Sequence, residues 1–224
     1  MIQLRRIFTG LLCALLLTVP VRADGGVQYV ALTFDDGPSG RFTRRLLDGL
    51  KERDVKGTFL LCGYRIENYP KEAARIAAEG HEIGIHGYSH DSMFSMTEAQ
   101  VLSEIKKTAV LLPGSSVFLR PPGGKYNEAT CAAAQKAGVA ILSWSLDPKD
   151  WAIHDTAAIV SAVVEQVKDG DVILLHDMSD PSVTAALRIV DLLEARGFRF
   201  VTVSELAEIK GIALKPGKIY SQFP

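Results

Sequence analysis

Two acids stand side by side in the stretch ALTFDDGP, where Asp35 and Asp36 close an apolar run just before a Gly-Pro break. A single Asp-Gly is an ordinary solvated turn. Adjacent carboxylates repel each other, so a pair at the edge of a core points to two separate tasks. Further along, HGYSH places His86 and His90 four residues apart. In a turn-like segment that spacing lets two imidazoles converge on one metal ion. Polar helices show the same spacing by accident, so the pair needs a third ligand, and a carboxylate can supply it. Two imidazoles and a carboxylate with a position left open describe a catalytic site of the zinc type, not a closed structural one. Such an ion acidifies water and polarises a carbonyl, as hydrolysis of an amide or ester requires.

Hydrolysis also needs a base for the attacking water and an acid for the leaving group. Three further segments offer them: RPPGG at 120–124, DPKDW at 147–151 and LLHD at 174–177. An arginine beside a carboxylate favours its charged form and keeps it a competent base, which Arg120 can do. An acid beside a histidine favours imidazolium and makes it a proton donor, which Asp150 can do for His176. Asp177 has no evident chemistry. His81, after Gly80 at the start of a strand, reads as a surface or turn residue, His154 as an exposed loop residue, and Trp144 as a core or barrel-interior side chain.

These segments must be brought together by the elements around them. Strands are predicted at 28–34, 57–62, 81–85, 117–119, 140–146, 172–175 and 198–203, each a short apolar run. Helices are predicted at 42–53, 70–79, 97–112, 127–137, 155–167 and 180–196. Thr97 with Gln100 makes a capping box, Asn127 an N-cap, and Pro70 and Gly80 the start and stop of one helix. Strands alternating with helices imply a parallel sheet with helices outside. Seven such units without a dinucleotide fingerprint favour a closed or nearly closed barrel. All five chemical segments then follow strand ends and share one mouth.

The N-terminus carries Arg5 and Arg6, an apolar stretch over 7–19 and Ala23 at a cleavage-like position. This is the pattern of a secretory signal peptide over 1–23, too short to span a bilayer comfortably. Cys13 lies within the apolar stretch and lacks the setting of a lipoprotein cysteine. The expected location is secreted or facing the cell envelope. A net charge of −1 gives no reason to expect nucleic acid or an anionic membrane as partner. Cys62 and Cys131 are expected as small apolar core residues. The segment after Ile212 is expected to be a short surface extension.

The five segments, in this order, resemble the polysaccharide deacetylase family, the NodB-homology domain of carbohydrate esterase family 4. The likeness spans 28–206, and TFDDG, HGYSH, RPPGG, DPKDW and LLHD carry it. The resemblance implies an α/β fold of one domain over 24–208, a distorted (β/α)7 barrel, with 209–224 as an extension. It implies metal-dependent removal of acetyl groups from a polysaccharide. N-acetylated peptidoglycan is the first choice; an O-acetyl esterase acting on xylan and a non-catalytic glycan-binding barrel are the alternatives. It makes Asp35 the base, Asp36, His86 and His90 the metal ligands, and Arg120 the residue that holds the base. The Gly123 N–H is the oxyanion donor, Asp150 tunes His176 as the acid, and Trp151 and Leu174 wall the acetyl methyl. Zinc is the expected ion, with cobalt, manganese and nickel as alternatives. The partner is the acetylated glycan; no protein partner is implied, and a monomer is expected. Two departures stand out: Gly87 occupies a place often held by Ser or Thr, and Gly123 one often held by a larger residue.

Overall fold

Strand β1 (Gln28–Asp35) is apolar from Val30 to Leu32 and again at Phe34, because both of its faces are covered. The structure, a computed structural model, describes residues 26–224, so the signal-peptide reading and Cys13 lie outside the described residues. After β1 come α1 (Arg41–Glu52), β2 (Thr58–Leu61), α2 (Gly63–Asn68), α3 (Pro70–Ala78), β3 (Glu82–Ile85) and α4 (Glu98–Ala109). The second half holds β4 (Phe118–Leu119), α5 (Glu128–Ala137), β5 (Ala140–Leu142), α6 (Thr156–Val164), β6 (Val172–His176), α7 (Asp180–Glu194), β7 (Phe198–Phe200), α8 (Val203–Ile209) and β8 (Ile219–Tyr220).

The sheet order is β6-β1-β2-β3-β4-β5-β8, with β7 on the first three residues of β1, and every one of these pairs is parallel. Past β5 the chain turns so that Leu146 bridges Ile173 of β6. The curled sheet is thereby a distorted (β/α)7 barrel, as expected. Leu46, Leu47 and Leu50 of α1 and Ile189, Val190 and Leu193 of α7 pack on one side of β1 and β6. The caps expected at Thr97 and Asn127 are present: Thr97 and Gln100 exchange hydrogen bonds, as do Asn127 and Thr130; Asp155 caps α6 in addition.

Three readings change. The tail is no surface extension: β8 pairs with β5, Gln222 bridges Asp171, and Phe223 is fully buried beside Ala31, Leu60 and Leu142. It fills the gap left where β5 and β6 diverge, and burying Phe223 contributes roughly 2–3 kcal/mol. Strand five ends at Leu142 instead of 146, because the chain must leave the sheet to reach β6. Finally, α2 and α8 are additional helices. The Thr202–Glu205 capping box that opens α8 was visible in the sequence, and it cuts the seventh strand short at Phe200. Cys62 is buried, Cys131 partly so, and neither is bridged.

Candidate active site

β1 ends at Asp35, and Asp36 takes up a left-handed backbone conformation, φ 71°. Along a strand, neighbouring side chains point to opposite faces. The left-handed turn at Asp36 breaks that alternation and delivers both carboxylates to the same mouth. Asp is one of the few residues that adopt this conformation at modest cost.

Asp35 is buried and takes a hydrogen bond from Arg120 Nη1 at 2.7 Å. Arg120 is the largest side chain with no exposure at all, and every arm of its guanidinium is used. Nη1 also donates to Thr33 Oγ1 at 2.8 Å, Nε to the Leu142 carbonyl at 3.2 Å and Nη2 to the Ser143 carbonyl at 2.8 Å. A buried charge is tolerable only with such complete pairing. The fork therefore fixes Asp35 against β1, β4 and the end of β5 at once.

His86 follows β3, and its Nδ1 lies 2.7 Å from the Arg120 carbonyl oxygen. A carbonyl can only accept, so Nδ1 carries the proton and Nε2 keeps its lone pair. That lone pair faces Asp36 Oδ1 at 3.2 Å; His90 Nε2 faces the same oxygen at 2.9 Å. The three ligand atoms lie within 4.8 Å of one another. Asp36 Oδ1 is buried yet makes no hydrogen bond of acceptable geometry. Tetrahedral coordination with bonds of about 2 Å separates ligand atoms by roughly 3.3 Å. An orphaned carboxylate oxygen between two imidazole nitrogens at that spacing fits a cation of the zinc type. Burial alone would raise the Asp36 pKa; the two imidazoles, when protonated on the nitrogens that face it, donate to the carboxylate and carry opposite charge, and so hold it well below the usual range. Asp36 in turn raises His90.

The loop carrying these histidines is held from beneath by a residue the sequence reading missed. Glu104 of α4 is buried, and one of its oxygens, Oε2, accepts from the N–H groups of Tyr88 and Ser89, both at 2.9 Å, and from Ser89 Oγ at 3.1 Å. The departure at Gly87 is thus answered: the loop is braced by Glu104 and Ser89. The signal lay in the pattern, since an acid sits among the inward positions Val101, Ile105 and Thr108 of an amphipathic helix.

On the opposite wall, Asp150 accepts from the His176 backbone N–H at 2.8 Å, and its other oxygen lies 2.8 Å from His176 Nδ1. The carboxylate fixes ring orientation and leaves Nε2 facing the cavity. Burial alone would lower the His176 pKa; the hydrogen bond and charge of Asp150, with Asp35 and Asp36 beyond, raise it to about 9. His176 is therefore an imidazolium over the neutral pH range, with a proton to give.

Asp35, Asp36, His86, His90, Gly123, Trp151, Leu174 and His176 line one cavity of about 380 Å³, with Arg120 and Asp150 behind its walls. All ten residues singled out from the sequence are brought together. Trp144 and Asp147 line the same cavity. Trp144, expected in the core or the barrel interior, is half-buried against the cluster of Ala31, Leu60 and Leu142 and reaches the cavity as well: it lies against Gly124, where a Cβ would run into its ring, and under the Arg120 guanidinium, 5.6 Å away. Gly123 has φ 64° and open space where a Cβ would stand, so the mouth is wide on that side. Asp177 is fully buried, accepts from the Thr43 hydroxyl and packs against Gly37; burial pushes its carboxyl up to about 6. It braces the turn that follows Asp36. His81, expected at the surface, is buried at the far end of β3.

A family described as polysaccharide deacetylase matches residues 22–142. A peptidoglycan-N-acetylglucosamine deacetylase of Bacillus cereus is 36% identical over 191 residues, covering 82% of this chain and 90% of that protein. A peptidoglycan-N-acetylmuramic acid deacetylase of Bacillus subtilis is also 36% identical, over 84% of this chain but only 40% of the longer relative. Among solved structures, a family 4 acetyl xylan esterase from Clostridium thermocellum, determined with a cobalt ion, superposes with a TM-score of 0.82 at 32% identity. That likeness covers 88% of this chain and 100% of the esterase.

Proposed function

The chain belongs to the polysaccharide deacetylase family and is a carbohydrate deacetylase, and from that premise we propose that it removes N-acetyl groups from peptidoglycan by metal-dependent hydrolysis. The observation that carries this reading is the convergence of two imidazole nitrogens on the orphaned Asp36 oxygen, between a clamped carboxylate and a charged imidazole. Asp36, His86 and His90 would hold a divalent cation, zinc by donor type, with cobalt, manganese and nickel also compatible. Bound there, the cation supplies Lewis acidity to the acetyl carbonyl and acidifies water.

The remaining steps belong to the chain. Asp35 accepts the proton of the attacking water, and Arg120 pairs with its carboxylate and aims it. The Gly123 N–H donates to the oxygen on which negative charge develops. His176 delivers its proton from Nε2 to the departing sugar amine, while Asp150 holds the Nδ1 proton. Trp151 and Leu174 enclose the acetyl methyl. Water and amide become acetate and a free amine. Arg5, Arg6 and the apolar stretch over 7–19 support export to the compartment where wall glycan lies.

A second reading, an O-acetyl esterase, draws support from the likeness to the acetyl xylan esterase. The same groups serve it, since an alkoxide depends on the acid less than an amine does. Acetate release from peptidoglycan, N-acetylated chitooligosaccharide and acetylated xylan, measured in parallel with and without EDTA, separates the readings. Release from the N-acetyl substrates that chelation abolishes is expected. Release from xylan alone would establish the esterase, and a rate indifferent to EDTA would refute the metal mechanism.

A further inference from the structure

The two carbonyls that hold the Arg120 guanidinium belong to Leu142 and Ser143, the last residue of β5 and the one beyond it. β5 itself gives them little support: it is three residues long, and its register with β4 ends at Ile141. Leu142 is paired with Tyr220 of β8, and the Ser143 N–H donates to the Tyr220 carbonyl at 2.7 Å. Just before them, the Ile141 N–H donates to the Lys218 carbonyl at 2.8 Å. The residues that aim Arg120 therefore lean on the segment that closes the barrel.

That segment is pinned at its far end. Phe223 is fully buried in one cluster with Ala31, Leu60 and Leu142, and its N–H donates to the Gly170 carbonyl at 2.8 Å. The two chains run so close that a Cβ on Gly170 would strike the Phe223 carbonyl. Gln222 bridges Asp171. The Tyr220 ring stacks on Phe223 with centroids 5.9 Å apart, and its hydroxyl accepts the Lys215 N–H at 3.1 Å and donates to the Ala213 carbonyl at 3.3 Å. Residues 213–224 thus tie the end of β5 to the turn that precedes β6. They lie outside the family match, which stops at residue 142.

We propose that residues 213–224 are a positioning element for the base: β8 sets the Leu142 and Ser143 carbonyls, these set Arg120, and Arg120 sets Asp35. A buried backbone N–H that loses its acceptor is costly, so an undocked β8 would let the end of β5 shift. Misplacing a reacting group by about 1 Å can cost about 10²-fold in rate. The metal ligands stand outside this chain of contacts. His86 leans on the Arg120 backbone, which is held by the Ile85 carbonyl of β3 at 2.8 Å, and not on the guanidinium. The proposal rests on the deacetylase reading of Asp35 and goes beyond it in assigning the segment that aims the base.

The test compares full-length Phe223→Ala, Phe223→Leu and Tyr220→Ala with the parent on a β-1,4-linked N-acetylglucosamine pentamer, with bound metal and Tm measured on the same samples. Phe223→Ala is expected to lower kcat about tenfold per bound ion, with KM unchanged. Phe223→Leu, which keeps an apolar side chain in the cluster, should stay within about twofold of the parent. In an Arg120→Lys background, where an ammonium replaces the planar fork, Phe223→Ala should lower kcat no further. A merely structural tail would lower Tm and leave kcat per bound ion unchanged; that result, or an equal fall in both backgrounds, would overturn the proposal. Should Phe223→Ala not fold, Tyr220→Ala removes only the stacked ring and its hydroxyl; a fall in kcat of about threefold is expected, and an unchanged kcat rejects the proposal. Solvent exchange of the Arg120 Nε–H, followed by NMR, reads the link without turnover. Faster exchange in the tail variants is expected, and exchange equal to the parent's rejects the link whether or not the parent deacetylates any glycan.

Discussion

Strand β3 has a buried histidine at each end, and the two have opposite fates. His81 at the base accepts the Gly57 N–H on Nδ1 at 3.1 Å, so its proton sits on Nε2, which finds no partner. His86 at the mouth donates from Nδ1 to the Arg120 carbonyl, so its free nitrogen is a lone pair aimed at Asp36. Both rings are almost wholly removed from water. The tautomer, set by one backbone partner, and the presence of a carboxylate decide which is a ligand and which is packing. Burial lowers the His81 pKa to about 4, against Phe59 and with Lys56 nearby.

The comparison can be broken most strongly at the mouth. His86→Ala is expected to lose both bound metal and turnover, the latter by about 10⁴-fold, whereas Asp35→Asn keeps metal and loses about 10²–10⁴-fold in kcat. Metal content by elemental analysis beside acetate release reads both, and equal metal in the two variants would refute the division of roles. Asp150→Asn comes next, with a fall of about 10²–10³-fold. Because Asp150 helps raise His176 to about 9, activity should be lost above that pH in the parent enzyme. In the variant the alkaline limb should move down, and a pH–rate profile of kcat that stays in place would count against His176 as the acid.

At the base, the expected effect is on stability alone. The folded pKa of His81 lies below its unfolded value, so the unfolded chain binds the extra proton. Its contribution is complete above about pH 6.5 and is lost as pH falls toward about 4, about 3 kcal/mol in all. His81→Asn keeps an acceptor for Gly57 and cannot take the proton. Urea unfolding between pH 4 and 7 should therefore show a flatter slope in the variant, with metal binding untouched. The smallest effect is expected at Glu104→Gln, which weakens the brace under Tyr88 and Ser89 and should lower metal affinity about 10–100-fold. Competition with a chelating dye measures it; unchanged affinity would make Glu104 a packing residue only.

The residues of the site were legible because hydrolysis demands particular side chains and because strand ends are marked by short apolar runs. Asp35, Asp36, His86, His90, Arg120, Asp150 and His176 each fall just past such a run. Residues that act through others were less visible. Glu104 sits in a helix whose pattern is otherwise amphipathic, and Trp144 follows an apolar run that reads as more strand than is formed. Thr33 lies inside β1, where a β-branched residue needs no special reason. The tail was misjudged because β8 is two residues long, and its place depends on a gap that only the diverging β5 and β6 create.

The order of segments, the alternation of strands and helices, the helix caps and the chemistry-bearing side chains follow from the sequence alone, since each rests on local propensity and periodicity. Which nitrogen of His86 keeps its lone pair, how Asp36 turns back toward His90, which acid supports the metal loop and what closes the barrel were decided by tertiary structure. Those outcomes depend on carbonyls, hydroxyls and voids contributed by segments far away in the chain, and no local window of sequence contains them.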